Sequence, residues 1–220
     1  MRFDLHVHTC HSKDSLMAPD EIIRAVLGRG LDGLAITDHN SIEGALTLRG
    51  MAPFLVIVGE EIATREGEII GLFLREAIPR GLSPEETIAA IREQQGLVYV
   101  PHPFDRIRRN ALGARVLERI AQQVDALEVL NARNFLPQDN ELARRFAESH
   151  GLAMGAGSDG HIPSEIGRAY VEVEPFDGPA SFLAALRRGR VVGSLSSPLV
   201  HVATTCVKLR RRVSGKRLRA

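Results

Sequence analysis

Two histidines near the start of the chain have a spacing that suits a metal ion. His6 and His8 lie two positions apart in a short segment that predicts the first β-strand. Side chains two residues apart on a strand point to the same face, so both imidazoles can reach one point in space. The same pair could lie in a solvated loop, and the metal-site hypothesis therefore depends on further ligands elsewhere in the chain.

Five other predicted strands are followed by polar residues at their carboxyl ends. In parallel α/β folds this edge of the sheet carries ligands and catalytic groups. The set combines imidazoles with carboxylates and has no cysteine pair, which favours Zn, Mn or Fe(II) over a structural thiolate zinc. The donors outnumber the needs of one ion and predict two or three divalent ions. These segments are residues 37–40, 59–61, 101–103, 131 and 157–161.

The elements that must position these residues alternate between strand and helix, which indicates a parallel sheet covered by helices. Helix boundaries are marked by Pro19 and Gly30 around the first helix and by a capping box that begins at Ser83. Both a closed barrel and an open doubly wound sheet fit this alternation. Strands are predicted at residues 2–8, 33–37, 54–58, 68–74, 97–100, 126–130, 152–156, 169–173 and 191–193, and helices at 19–29, 41–49, 84–95, 114–123, 138–150 and 179–188.

Composition predicts one globular domain with a basic C-terminal tail. The chain has 220 residues, of which 44% are hydrophobic. Residues 204–220 hold seven Lys and Arg and no acid, whereas the remainder holds 21 basic and 27 acidic residues. We therefore divide the chain into a domain at 1–203 and a tail at 204–220. The tail is a candidate contact for nucleic acid, although the pattern favours a solvated C-terminus.

Two isolated cysteines, Cys10 and Cys206, predict a reducing compartment, because they do not form a disulfide scaffold. No apolar run has the length of a signal peptide or of a membrane helix. These features predict a cytoplasmic enzyme that has no membrane partner.

The chain resembles the PHP (polymerase and histidinol phosphatase) family, and most of all its small stand-alone metal-dependent phosphoesterases. The resemblance extends from residue 4 to about residue 170. It implies a distorted seven-stranded (β/α) barrel, similar to a TIM barrel, with the metal site at the carboxyl ends of the strands. The matching motifs, in family order, are D-L-H-V-H-T, I-T-D-H-N, G-E-E-I, V-P-H-P-F-D, E-V-L-N-A-R-N, G-S-D-G-H and E-I-G-R-A-Y.

The resemblance also implies a dinuclear or trinuclear cluster of Zn, Mn or Fe. Its first metal would be held by His6, His8, Glu61 and Asp159, and Glu61 would bridge to a second metal at His102. A third metal would be held by Asp14, His39 and His161. Some relatives place a histidine where this chain has Glu68, and others place one where it has Asn131. Glu68 is therefore a further candidate ligand, and an ordinary strand residue is its alternative.

The activity implied by the resemblance is hydrolysis of a phosphate ester by a hydroxide formed between metal ions. The substrate would be a small-molecule phosphate ester, a nucleotide or an oligonucleotide. An amidohydrolase-type metal hydrolase is the runner-up, and a non-catalytic PHP module that binds nucleic acid is a third hypothesis. Many amidohydrolases use a carboxylated lysine, and no lysine here follows a strand. The candidate catalytic groups are His39, His161 and Asp159, and the candidate phosphate ligands are Arg106, Arg109, Arg133 and Arg168.

Overall fold

The computed structural model describes residues 1–197, Val200 and Thr204. Apart from Thr204, the predicted basic tail lies outside the described residues. No helix among the described residues is long and apolar enough to cross a membrane. The strands are β1 (Arg2–Val7), β2 (Gly33–Ile36), β3 (Leu55–Thr64), β4 (Gly67–Leu72), β5 (Leu97–Val100), β6 (Ala126–Asn131), β7 (Ala153–Gly157), β8 (Ala169–Glu172) and β9 (Arg190–Gly193). The helices are α1 (Pro19–Arg29), α2 (Glu43–Met51), α3 (Pro84–Glu93), α4 (Gly113–Ile120), α5 (Pro137–His150) and α6 (Pro179–Arg188), with a short 3₁₀ turn at Ala121–Gln123 after α4.

Local sequence chemistry sets several helix boundaries. At the start of α3, Ser83 Oγ accepts a hydrogen bond from Glu86 N at 3.1 Å, and the Glu86 carboxylate accepts one from Ser83 N at 2.7 Å. This reciprocal pair satisfies two backbone donors at the first turn of the helix. Gly30 ends α1 in the left-handed conformation, with a φ of 64°, that favours glycine.

The sheet curls into a nearly closed barrel with β1 to β7 in consecutive order. Most neighbouring strands are parallel, but β4 runs antiparallel to both β3 and β5. β3 turns directly into β4 without a helix, in agreement with the two successive strands predicted at 54–58 and 68–74. The segment after β7 reaches the end of β1, where Gly160 accepts a hydrogen bond from His8 N at 2.9 Å. At the other side, β8 and β9 extend the sheet from the start of β1 as antiparallel strands.

Two apolar clusters fill the space inside and outside the barrel. The inner cluster combines side chains from β1 to β8 with Phe182 of α6. The outer cluster packs helix residues such as Ile22 and Ile91 against the sheet. A shift in strand register between Asp4 and Val7 places Leu5 in the inner cluster and Val7 in the outer one. β1 therefore changes which face it presents to the interior just before its two histidines, as β-bulges do beside active sites.

Candidate metal centre

Four donor atoms converge at the carboxyl end of the barrel. They are His6 Nε2, His8 Nε2, Glu61 Oε2 and Asp159 Oδ1, and we call these four residues the floor group. The two imidazole nitrogens lie 3.1 Å apart. Each nitrogen lies 3.3–3.7 Å from both carboxylate oxygens. Atoms that bind one Zn²⁺-sized ion at about 2.0–2.2 Å in tetrahedral geometry lie roughly 3.3–3.6 Å apart. The floor group therefore has the dimensions of a four-coordinate cation site.

Backbone pairing places Glu61 beside this group. Glu61 N donates to Asp38 O at 3.1 Å, and Glu61 O accepts from Asn40 N at 3.0 Å. The strand that carries Glu61 thus continues past the rim of the barrel, whereas the sequence pattern placed the end of the strand before it. Asp159 has a φ of 53° and His102 a φ of 28°, both in the left-handed region. Such backbone conformations are concentrated at functional sites, where the surrounding structure holds them.

Hydrogen bonds beneath the imidazoles fix which ring nitrogen faces the group. His6 Nδ1 lies 3.1 Å from Glu128 Oε1. His8 Nδ1 lies 3.1 Å from Ser12 Oγ, whose hydroxyl donates to Asp38 at 2.5 Å and therefore accepts from the ring. In both rings the partner is an acceptor, which assigns the proton to Nδ1. The Nε2 lone pairs then point at the floor group, as metal-binding histidines require.

A second group shares Glu61 with the floor group. His102 Nε2 lies 3.0 Å from Glu61 Oε1 and 3.8 Å from Glu68 Oε2. Glu68 faces the centre rather than solvent, and Asn110 holds its carboxylate through a 3.1 Å hydrogen bond. Asn131 donates instead to Glu128 at 2.9 Å and to Asp159 at 3.3 Å. The second group thus offers two carboxylates and one imidazole.

A third group lies at the solvent side of the centre. Asp14 Oδ1 lies 3.3 Å from His161 Nε2 and 3.6 Å from His39 Nε2. His161 Nδ1 donates to the backbone oxygen of Asp159 at 2.7 Å, so its Nε2 faces Asp14. The other ring nitrogen of His39 lies 3.0 Å from Glu61 Oε2. The structure therefore brings all nine sequence-predicted ligands into three adjoining groups.

Burial and neighbouring charges shift the pKa values of carboxyl and imidazole groups in the centre. Burial and the neighbouring Glu61 raise the pKa of Glu68 to about 7. Burial opposes ionisation of Asp159, but the guanidinium of Arg108 holds its pKa well below the usual range. Burial and the adjacent His161 lower the pKa of His8 to about 4, which favours the neutral ring that a cation needs.

Two buried oxygens at the heart of the centre support the fit to cations. Within residues 1–197, Glu61 Oε2 and Asp159 Oδ1 accept no hydrogen bond of good geometry, although imidazole nitrogens lie 3.0–3.7 Å away. A buried carboxylate oxygen that accepts no hydrogen bond is costly unless a cation satisfies it. The donors are imidazole and carboxylate groups, which suit Zn, Mn and Fe(II). The residues present therefore fit the divalent ions expected from the sequence.

A cavity of about 340 Å³ opens above the second and third groups. Two of the four predicted phosphate-binding arginines, Arg109 and Arg133, line it. Arg106 lies elsewhere, with Nε donating to Asp139 at 2.9 Å. Arg168 is exposed and is also outside the cavity lining. Arg133 is buried and donates to Thr204 Oγ1 at 2.6 Å, which places the start of the predicted tail at the cavity wall.

Sequence reasoning missed several residues that support the centre. Arg108 forms ion pairs with Asp159 and with Asp105, and its guanidinium lines the cavity. Glu128 lies below His6 inside the barrel. The run of arginines at 106, 108 and 109 was a visible signal, but only the fold decides which of them turns inward. Glu128 begins the E-V-L-N-A-R-N motif, but its strand neighbours are apolar and the motif alone does not place its side chain against His6.

Two family models match the chain. The model described as PHP domain covers residues 4–100, and the model described as PHP-associated covers residues 137–191. Among curated proteins, the chain is 43% identical over 145 residues to the uncharacterized protein MJ1587 of Methanocaldococcus jannaschii. That match covers 60% of this chain and 82% of the relative. The two models together match the first half of the barrel domain and its C-terminal part.

Solved structures with low sequence identity share the fold. A two-domain protein from Bacteroides vulgatus, which contains a predicted PHP-like metal-dependent phosphoesterase, superposes with a TM-score of 0.71 at 19% identity. The match covers 88% of this chain and 65% of that chain, so this chain spans less than two thirds of its length. An amidohydrolase from Chromobacterium violaceum with bound SO4 and no metal has a TM-score of 0.63 at 17% identity, covering 87% of this chain and 97% of that chain. At these identities the likeness establishes the barrel architecture alone.

Proposed function

Because the chain belongs to the PHP family, we propose that this metal-dependent hydrolase is a phosphoesterase that acts on a phosphate ester of a small molecule or nucleotide. The observation that carries the proposal is the juxtaposition of a cation centre with cationic side chains. Arg108, Arg109 and Arg133 line the same cavity as Asp14, His39 and Glu68. Guanidinium groups bind phosphate oxygens through paired, charge-assisted hydrogen bonds.

The proposed cation ligands are those of the three groups. The floor group would hold one ion. Glu61 would also be a ligand of a second ion, together with His102 and Glu68. Asp14, His39 and His161 would hold a third ion. When bound, such ions lower the pKa of water toward neutrality and neutralise charge on phosphate oxygens. The identity of the metal among Zn, Mn and Fe and the trinuclear count belong to this proposal.

The protein's own residues would bind and orient the phosphate. Arg108 projects from the loop after β5 and pairs with the Asp159 carboxylate, and Arg133 donates to the Asp159 backbone oxygen at 3.4 Å. A phosphoryl group placed above the floor group would meet both guanidinium groups. Their positive charge would stabilise the additional negative charge that develops in the transition state.

His39 and His161 are the proposed proton donors to the leaving group, each in the form in which its ring binds no cation, because a nitrogen that binds a cation has no proton to donate. Both line the cavity, and His39 has a quarter of its side chain exposed, at 24%. Asp159 holds the ring of His161 through its backbone oxygen while its carboxylate belongs to the floor group. A histidine that protonates the leaving alkoxide contributes roughly 10²–10⁴-fold to the rate.

The amidohydrolase alternative has less support in this site. Among residues 1–197 the only lysine is Lys13, which is exposed. The position between the first and second groups, where a carboxylated lysine would bridge, is occupied by Glu61. Glu61 is the bridging carboxylate that the PHP resemblance implies, and it therefore favours the phosphoesterase proposal. The barrel fold, which this chain shares with an amidohydrolase, does not decide the substrate.

The test is phosphate release from a panel of phosphomonoesters by the Mn²⁺-loaded chain, with an amide panel in parallel. We expect His8→Ala and Asp159→Asn to lose phosphate release and bound metal together, because each removes a floor donor. Glu66→Gln is the control, since Glu66 pairs with Arg119 on the surface. Wild-type rates in both floor variants, or hydrolysis of amides alone, would refute the proposal.

A second measurement addresses the proton donor. If His39 or His161 protonates the leaving group, its replacement by Gln should slow an alkyl phosphate more than p-nitrophenyl phosphate, whose leaving group needs no proton. We expect a difference of about tenfold or more between the two substrates. Equal losses on both substrates would assign the two histidines to cation binding alone.

A further inference from the structure

Glu128 is a fully buried carboxylate on β6 that lies directly below the cation centre. Its Oε1 accepts from His6 Nδ1 at 3.1 Å. Its Oε2 accepts from His102 N at 2.7 Å and from Asn131 Nδ2 at 2.9 Å. One side chain therefore contacts β1, the segment after β5 and the end of β6.

We propose that Glu128 is a positioning residue that orients the cation ligands of two groups at once. It contacts the ring of His6 in the floor group and the backbone of His102 in the second group. It also reaches Asp159 indirectly, because Asn131 donates to both carboxylates. This inference rests on the cation centre of the proposed function, and it adds a shared support beneath it.

The hydrogen-bonding capacity of a carboxylate explains why Glu suits this position. All three partners of Glu128 are donors, and a carboxylate is an acceptor at both oxygens. Acceptance at Oε1 fixes the His6 proton on Nδ1 and leaves its Nε2 lone pair for the floor group. Such partners orient metal-binding histidines, and their loss costs about 10–100-fold in metal affinity.

Packing holds Glu128 and His6 in this arrangement. A Cβ at Gly157 of β7 would lie 2.3 Å from His6 Cβ and 2.7 Å from Glu128 Oε1. β7 can approach this closely only because it has glycine there. Among the described residues no lysine or arginine pairs with Glu128, and its ion-pair partner is His6.

The experiment uses Glu128→Gln, which keeps the shape of the side chain but offers one acceptor oxygen. Its amide nitrogen must then face either the His6 proton or the donors of His102 and Asn131. We expect the variant to bind Co²⁺ about 10–100-fold more weakly, measured by visible absorption as metal-free protein is titrated with Co²⁺. The ¹⁵N shifts of His6 in the Zn²⁺-loaded protein should also show loss of the single Nδ1-protonated form.

Glu60→Gln is the matched control, because it makes the same change at another fully buried carboxylate. Glu60 lies on the opposite face of β3 from Glu61 and accepts from Ile78 N at 2.8 Å. We expect this variant to keep wild-type Co²⁺ affinity. If both variants lost affinity equally, the effect would be a general one of buried carboxylates and the proposal would be overturned.

Wild-type affinity and unchanged His6 shifts in Glu128→Gln would also overturn it. Should that variant fail to fold, Asn131→Leu removes one donor from Glu128 and one contact of Asp159, and we expect a smaller loss of several-fold. Wild-type affinity in that variant would count against the proposal. A wild-type chain that binds Co²⁺ but releases no phosphate would refute only the proposed function. A wild-type chain that binds no Co²⁺ would refute both the proposed function and the positioning role of Glu128.

Discussion

The floor group and the cavity side of the centre are built in different ways. The floor side chains of His6, His8, Glu61 and Asp159 are almost fully buried. The cavity side is formed by Asp14, His39, Glu68 and His161 together with the three arginines, and we call it the mouth group. His39 of the mouth group is 24% exposed. This difference in exposure indicates that the floor group is a closed position for a cation, whereas the mouth group is accessible to a substrate.

The supports of the two groups differ as well. His6 is held from below by Glu128 on strand β6, and His8 is held by the Ser12–Asp38 pair. Glu68 of the mouth group is held by Asn110, and Arg108 by Asp105, both in the loop before α4. Side chains on a rigid scaffold are positioned more accurately than those held by loops. We therefore expect the floor group to bind its cation more tightly than the mouth group.

Glu61 links the two groups, and its removal is the most severe test of the comparison. Glu61→Gln leaves a neutral amide where one oxygen faces the floor and the other faces His102. Loss of several kcal/mol of charge stabilisation corresponds to about a 10³-fold fall in kcat/KM. Metal analysis of the purified variant should show loss of the ions of the floor group and of the second group, and a full complement of metal would contradict the linking role.

Arg108 is the test of the mouth group as a phosphate site. Arg108→Met removes a guanidinium that contacts Asp159 at the cavity. Hydrogen bonds to a charged group contribute roughly 1.5–3 kcal/mol, which predicts a fall of about 10–100-fold in kcat/KM. Steady-state kinetics on a phosphomonoester would measure it.

Arg106→Met is the matched control, because Arg106 pairs with Asp139 away from the cavity and its side chain is mostly exposed. We expect it to change kcat/KM by less than about twofold, because Arg106 is not among the residues that line the cavity. Equal losses in the two variants would show that the loop as a whole, rather than Arg108, affects the reaction.

The floor group was the more predictable of the two from sequence. His6, His8, Glu61 and Asp159 follow strands at motif positions, and strand periodicity alone indicates that His6 and His8 share a face. The barrel architecture was also predicted, and it is confirmed. The reversed β4 was less visible, because the hairpin turn at residues 65–66 separates two apolar runs that read as independent strands.

The supports and the mouth group depend on contacts between distant parts of the chain. Glu128 meets His6 across 122 positions, and no local pattern encodes that contact. Arg108 was overlooked although its neighbours Arg106 and Arg109 were chosen, because the direction of a loop side chain follows from tertiary packing. Asn131, read as a departure from the family pattern, has instead a hydrogen-bonding role between Glu128 and Asp159.

Glu68 gives the mildest and most selective test of the difference between floor and mouth. Its carboxylate lies 3.8 Å from His102 Nε2 and from the ring of His39, but it does not contact the floor histidines. Glu68→Gln should therefore weaken only the second ion, by about tenfold, because one oxygen donor of that group loses its charge. Mn²⁺ titration followed by electron paramagnetic resonance should show the tightest step unchanged and a later step shifted to higher concentration. A shift of the tightest step would mean that the two groups bind as one unit, and the separation of floor from mouth would fail.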